Sequence, residues 1–139
     1  MIIYFGIAGT LLDGAGNIRR YADFVLRELS AEGHRLFLLK TDKDDEAVVV
    51  LRNEGLLSYF ERVKEVGGDD PAPEFVIDAN SGSFLPDTAG YQVPFFNHYA
   101  MMDDEELLEA YRQIRRIGGK PGPPPRKDVS EWAIRRNKP

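Results

Sequence analysis

The chain has 139 residues, of which 42% are hydrophobic and 29% charged, with no cysteine and a net charge of −5. That composition belongs to an ordinary globular protein with room for one domain, and it excludes disulfides, thiolate metal sites and a cysteine nucleophile. The charge is uneven: residues 119–139 hold six basic and two acidic side chains, +4, which leaves −9 on residues 1–118, and so acidic a body argues against a nucleic-acid binder.

The opening run "IIYFGI" is apolar, β-branched and aromatic, and predicts a buried strand. Met1–Leu12 lacks a basic flank and an A-x-A-like cleavage site, so it is expected neither to be a signal peptide nor to span a bilayer. The turn-rich "DGAGN" follows, then "RYADFVLRELSAEG", in which Val25, Leu26 and Leu29 recur at helical spacing and Gly33 closes the helix. "HRLFLLKT" predicts a second strand, "DDEAVVVLRNEG" a second helix ending at Gly55, and "RVKEV" a third strand.

"EFVIDA" supplies a fourth strand and "QVPFF" a fifth, placed at an edge because Pro94 cannot donate to a ladder. A last helix is expected from about Asp103, with Asp103 and Glu106 as a D-x-x-E cap and Leu107, Leu108, Tyr111 and Ile114 facing the core. Strands separated by helices at this spacing require a parallel sheet covered on both faces. The expected fold is therefore an α/β three-layer sandwich around a mostly parallel five-stranded sheet, over residues 1–118. Residues 119–139, "GKPGPPPRKDVSEWAIRRNKP", read as a Pro/Gly-rich basic tail, expected to be a disordered or surface-draped end, or in the sharper reading to dock through Trp132.

In parallel sheets ligands bind beyond the carboxyl ends of the strands. Here those ends carry the loop after Ile7, Thr41 after the second strand and Asp78 after the fourth. The three are expected to converge on one site.

This arrangement resembles the haloacid dehalogenase (HAD) superfamily of phosphohydrolases. Its first motif is an apolar strand running into D-x-D-G-T-L-x-D, and the corresponding residues here are Gly6, Ile7, Ala8, Gly9, Thr10, Leu11, Leu12 and Asp13. The resemblance covers about residues 2 to 117. Thr41 stands where the second motif has a phosphate-binding Ser or Thr, and "FVIDAN" resembles the fourth motif, with Asp78 in its first acidic position and Ala79 in its second. "VPFFNHYAMMDDEELLEAYRQI" is similar to the closing strand and helix of the small C-terminal-domain phosphatases of that superfamily. The resemblance implies a capless HAD-like fold, with Gly9, Thr10, Leu11 and Thr41 as ligand- or phosphate-binding positions and Asp78 and Asp13 as the residues left for a metal.

The departures bear on the chemistry. In the family the first Asp of the motif attacks phosphorus and the second moves the proton, but here Gly6 and Ala8 have nothing to attack or titrate with. "GGDDPAPE" offers no counterpart of the third-motif Lys; Lys64 and Lys43 are the nearest basic residues. Mg²⁺ ordinarily takes one or two protein carboxylates beside phosphate and water, and only Asp78 remains at the site. Asp13 reads better as a loop-stabilising acid bonded to nearby amides, and Thr10 and Thr41 also have the simpler reading of strand-end hydroxyls satisfying the backbone. His34 and His98 show no ligand spacing.

The leading expectation is a HAD-like pseudo-phosphatase of the cytoplasm that binds a protein or a small anionic ligand, without cofactor, nucleic acid or membrane. One alternative is an active Mg²⁺-dependent phosphohydrolase that uses a displaced acid, or in which Gly6 and Ala8 replace the acids of a working parent. Another is a scaffold or assembly subunit that meets its partners through the C-terminal tail.

Overall fold

The computed structural model describes residues 1–64 and 70–118. Five strands form one sheet, β1 (Ile2–Phe5), β2 (Arg35–Leu39), β3 (Arg62–Lys64), β4 (Phe75–Asp78) and β5 (Ala89–Gln92), in the order β3-β2-β1-β4-β5. Every neighbouring pair is parallel. Three helices accompany it, α1 (Ala22–Ala31), α2 (Asp45–Asn53) and α3 (Glu106–Ile117). The α/β fold expected from the alternation of apolar strands and amphipathic helices is the one observed, with a sheet that is parallel throughout the described residues.

The strands owe their place to period-two burial. Ile3 and Phe5 of β1, Leu36 and Leu38 of β2, and Phe75 and Ile77 of β4 join the larger core cluster. The alternate residues Tyr4, Phe37 and Val76 form a smaller cluster, with Ile2, Leu39 and Phe84 packed against it. The helices are tied to the larger cluster through one stripe each: Phe24, Val25, Leu26 and Leu29 of α1, Val48 and Leu51 of α2, and Leu107, Leu108, Ala110, Tyr111 and Ile114 of α3. Gly33 and Gly55 close α1 and α2 at φ +89° and +77°, and the next amides, of His34 and Leu56, reach back to the carbonyls of Leu29 and Leu51.

Two elements start three residues away from the sequence expectation. The fifth strand is Ala89–Gln92 rather than 92–96, because its ladder with β4 runs from Phe75 opposite Ala89 to Asp78 opposite Gln92. Val93 then continues it by one bond to the Asp78 carbonyl, and the stretch with Pro94 lies past the pairing. It is an edge strand, as expected. The last helix begins at Glu106, and the acid at its start is Asp104, whose Oδ1 accepts the Glu106 N–H at 3.3 Å; Asp103 is exposed. β3 is described only as far as Lys64, so Glu65 and Val66 of the expected third strand lie outside the described residues, as does the whole 119–139 tail with Trp132.

Candidate functional site

β1 lies between β2 and β4, and the strand order reverses beside it, so the carboxyl ends of β1 and β4 flank the point where parallel sheets open a ligand crevice. After Phe5 the chain stays paired for one more residue, with Gly6 N–H donating to the Ile77 carbonyl at 2.9 Å. It then folds into a tight loop. The amides of Thr10 and Leu11 both donate to the Ile7 carbonyl, at 3.1 and 3.0 Å, and the Gly9 amide donates to the Leu12 carbonyl at 2.8 Å. Gly9 has φ +74°, and a Cβ there would meet the Phe95 ring at 2.3 Å. The loop therefore needs glycine at position 9 both for its backbone and for its contact.

Gly6, Thr10 and Asp78 come together. Thr10 is fully buried and donates its hydroxyl to Asp78 Oδ1 at 2.9 Å while accepting the Ala79 N–H at 2.9 Å. Asp78 Oδ1 also accepts the Asn80 N–H at 3.2 Å, and Oδ2 accepts the Ser83 hydroxyl at 2.5 Å. The carboxylate is thereby satisfied by three donors inside the fold. It stands over Gly6: a Cβ at position 6 would lie 2.0 Å from Asp78 Oδ1, 2.2 Å from Cγ and 2.7 Å from Oδ2. Any Cβ at position 6 would force the Asp78 carboxylate to shift and break these hydrogen bonds.

The other residues singled out in the sequence do not join this cluster. Ala8 is exposed, in a single backbone bridge with Leu12. Thr41 is exposed and turned toward α2, its N–H and hydroxyl donating to Asp44 Oδ2 at 2.8 and 2.9 Å. Asp13 accepts the amides of Ala15 and Asn17 on one oxygen, at 3.0 and 2.9 Å. Its other oxygen takes the Asn17 side chain and the His98 N–H, both at 3.1 Å. Burial pushes the Asp13 carboxyl up, but these hydrogen bonds outweigh it and hold the group below the usual carboxylate range. Lys64 points its ammonium to the Tyr4 ring, 5.8 Å from the centroid.

The sequence did not single out Arg19, which organises the loop from beneath. Its side chain is wholly buried and paired with Asp104, Nε to Oδ2 at 2.6 Å and Nη2 to Oδ1 at 3.1 Å. Nη1 donates to the carbonyls of Gly9 at 3.1 Å, Thr10 at 3.4 Å and Pro94 at 3.0 Å. One guanidinium thus joins the loop after β1, the chain leaving β5 and the start of α3. The Phe96 N–H on the Gly9 carbonyl, at 2.8 Å, strengthens the same joint. The available signal was a pair of arginines where a helix start ordinarily prefers acids, answered by "DDEE" far along the chain.

The donor set does not suit Mg²⁺. Among the described residues Asp78 is the one carboxylate hydrogen-bonded into the Gly6–Thr10 cluster, both its oxygens accept hydrogen bonds, and position 6 offers no second ligand. No group of three or more His, Asp or Glu side chains among the described residues is arranged to hold a metal ion. The amides of Gly9, Thr10 and Leu11 and the Thr41 hydroxyl, which would receive an anion, are engaged with carbonyls and with Asp44. No helix of the described residues is long and apolar enough to cross a membrane. Compared with protein-family models, curated proteins and solved structures, the chain matches none.

Proposed function

We propose that this chain is a HAD-like pseudo-phosphatase, a phosphohydrolase-type body that binds a partner at its strand ends and does not hydrolyse phosphate esters. The observation that carries this reading is the Asp78 carboxylate over Gly6. In a working member of that superfamily the nucleophile projects from the end of the first strand; here a carboxylate from the next strand occupies that space and is bonded to Thr10, Ser83 and the Asn80 amide. An attacking oxygen needs an approach to phosphorus and a neighbour to handle the proton. Asp78 is 6% exposed and held by three donors, Thr10 and the Asn80 amide on one oxygen and Ser83 on the other, and Ala8 carries no proton.

The same contact weighs against Gly6 being a replacement for an acid, because a larger residue would displace the Asp78 network. Since the loop amides already have acceptors, the geometry favours a protein partner over a free anion. The test is turnover of a generic phosphate ester by the full chain with Mg²⁺. The expected result is no release of phosphate above the protein-free control. Mg²⁺-dependent turnover that disappears on Asp78→Asn or Asp13→Asn would overturn the proposal and establish hydrolysis by a displaced acid.

A further inference from the structure

The segment between β5 and α3 leaves large apolar side chains in water at the carboxyl end of the sheet. Phe95 is 65% exposed, Tyr99 78% and Met102 65%. All three lie within eight residues of one another in the chain, which makes this segment the surface to ask about.

The segment is held in place by several bonds. Phe95 rests on Gly9, the Phe96 N–H bonds the Gly9 carbonyl, His98 N–H bonds Asp13, and Arg20 Nη1 donates to the Met102 carbonyl at 2.9 Å. The Tyr99 ring meets the His98 ring edge-on at 5.1 Å. The backbone that carries the exposed rings is therefore held in place, which lowers the ordering cost of binding.

We propose that this surface is the docking site for the chain's own residues 119–139. Three observations favour that occupant. The first is chemistry: "KPGPPPRK" contains four prolines flanked by basic residues, and proline-rich segments with a preference for the extended polyproline conformation are recognised by exposed aromatic rings. The second is charge, +4 on residues 119–139 against −9 on residues 1–118, with the exposed Asp103 immediately after Met102.

The third is reach. α3 starts beside the aromatic surface, where Asp104 meets Arg19, and ends near the far end of α1, where Arg115 meets Glu32 at 3.2 Å. Its 12 residues carry the chain about 18 Å away. Returning at about 3.1 Å per residue, an extended segment covers that distance by Pro125 and has length to spare for Trp132 and Ile134. The docking surface uses neither Asp78 nor any hydrolytic residue, and so is independent of the HAD-like reading.

The test uses the full chain, because Trp132 is its single tryptophan and reports on the segment alone. Phe95→Ser with Tyr99→Ser removes the rings without touching the buried core, and an unchanged urea midpoint verifies that. The expected result is Trp132 emission at shorter wavelength than in a synthetic peptide of residues 119–139, independent of protein concentration, moving to the peptide value in the double variant. Tryptic cleavage after Arg126 and Lys127 should accelerate at least about tenfold in the double variant, following the open population. Wild-type emission equal to that of the peptide, or emission and cleavage unchanged by the two substitutions, would overturn the proposal. So would protection that grows with protein concentration, which would make a second copy the occupant.

Discussion

Asp78 occupies the space into which a side chain at Gly6 would project, its Oδ1 lying 2.0 Å from the Cβ that any other residue would carry there. The end of β1 is thus closed by a neighbouring strand. Because Thr10, Ser83 and the Asn80 amide hold the carboxylate, it cannot step aside without breaking hydrogen bonds.

Gly6→Ala should therefore lower stability by about 1–3 kcal/mol, the usual cost of forcing an extra carbon into a filled space. Gly14 is the control, with open space for 4 Å around the position a Cβ would take and no left-handed φ. Gly14→Ala should be neutral or stabilising, within about 1 kcal/mol. Urea unfolding of the two variants measures the contrast, and equal midpoints would show that Asp78 is free to move.

Arg19 and Asp104 form an ion pair with both side chains at 0% exposure. Removing one partner leaves the other charge buried alone, so Arg19→Met or Asp104→Leu should each cost about 3–5 kcal/mol. The double variant should lose clearly less than the two single losses together, because the pair's desolvation is relieved at the same time. Additive losses would show that the two groups act separately.

Asp13 gives the fold a pH dependence. Its carboxyl titrates below the ordinary value in the folded chain, so its contribution is complete above the unfolded carboxylate pKa, about 4, and is lost as pH falls through the lower folded value. Stability of the wild type should fall with acid in that window, and Asp13→Asn should flatten this part of the profile while being less stable at neutral pH. An unchanged acid limb in Asp13→Asn would show that Asp13 is not the group responsible.

Much of this was legible in the sequence, because burial follows simple periods. Alternation in "IIYF" and "FVID" and the stripes Val25, Leu26, Leu29 and Leu107, Leu108, Tyr111, Ile114 are local patterns with local causes. Strand 89–92, "AGYQ", was missed because its residues have weak strand preference and are set by the ladder to β4, while "VPFF" next to it looks more strand-like than it is. The meeting of Thr10 with Asp78 follows from topology and could be expected. The closure over Gly6 and the Arg19–Asp104 pair depend on side-chain geometry across separate loops, which no spacing encodes, and the engagement of Thr41 with Asp44 is a local side-chain choice.

The most direct measurement is a crystal structure of the full chain grown with Mg²⁺ and soaked with a phosphate analogue. A closed strand end predicts the Asp78 carboxylate still over Gly6, bonded to Thr10 and Ser83, with neither metal nor anion at the loop from Gly9 to Leu11. An Asp78 side chain swung away, with an anion held between that loop and Thr41 and a metal beside it, would contradict the closure and with it the non-hydrolytic reading.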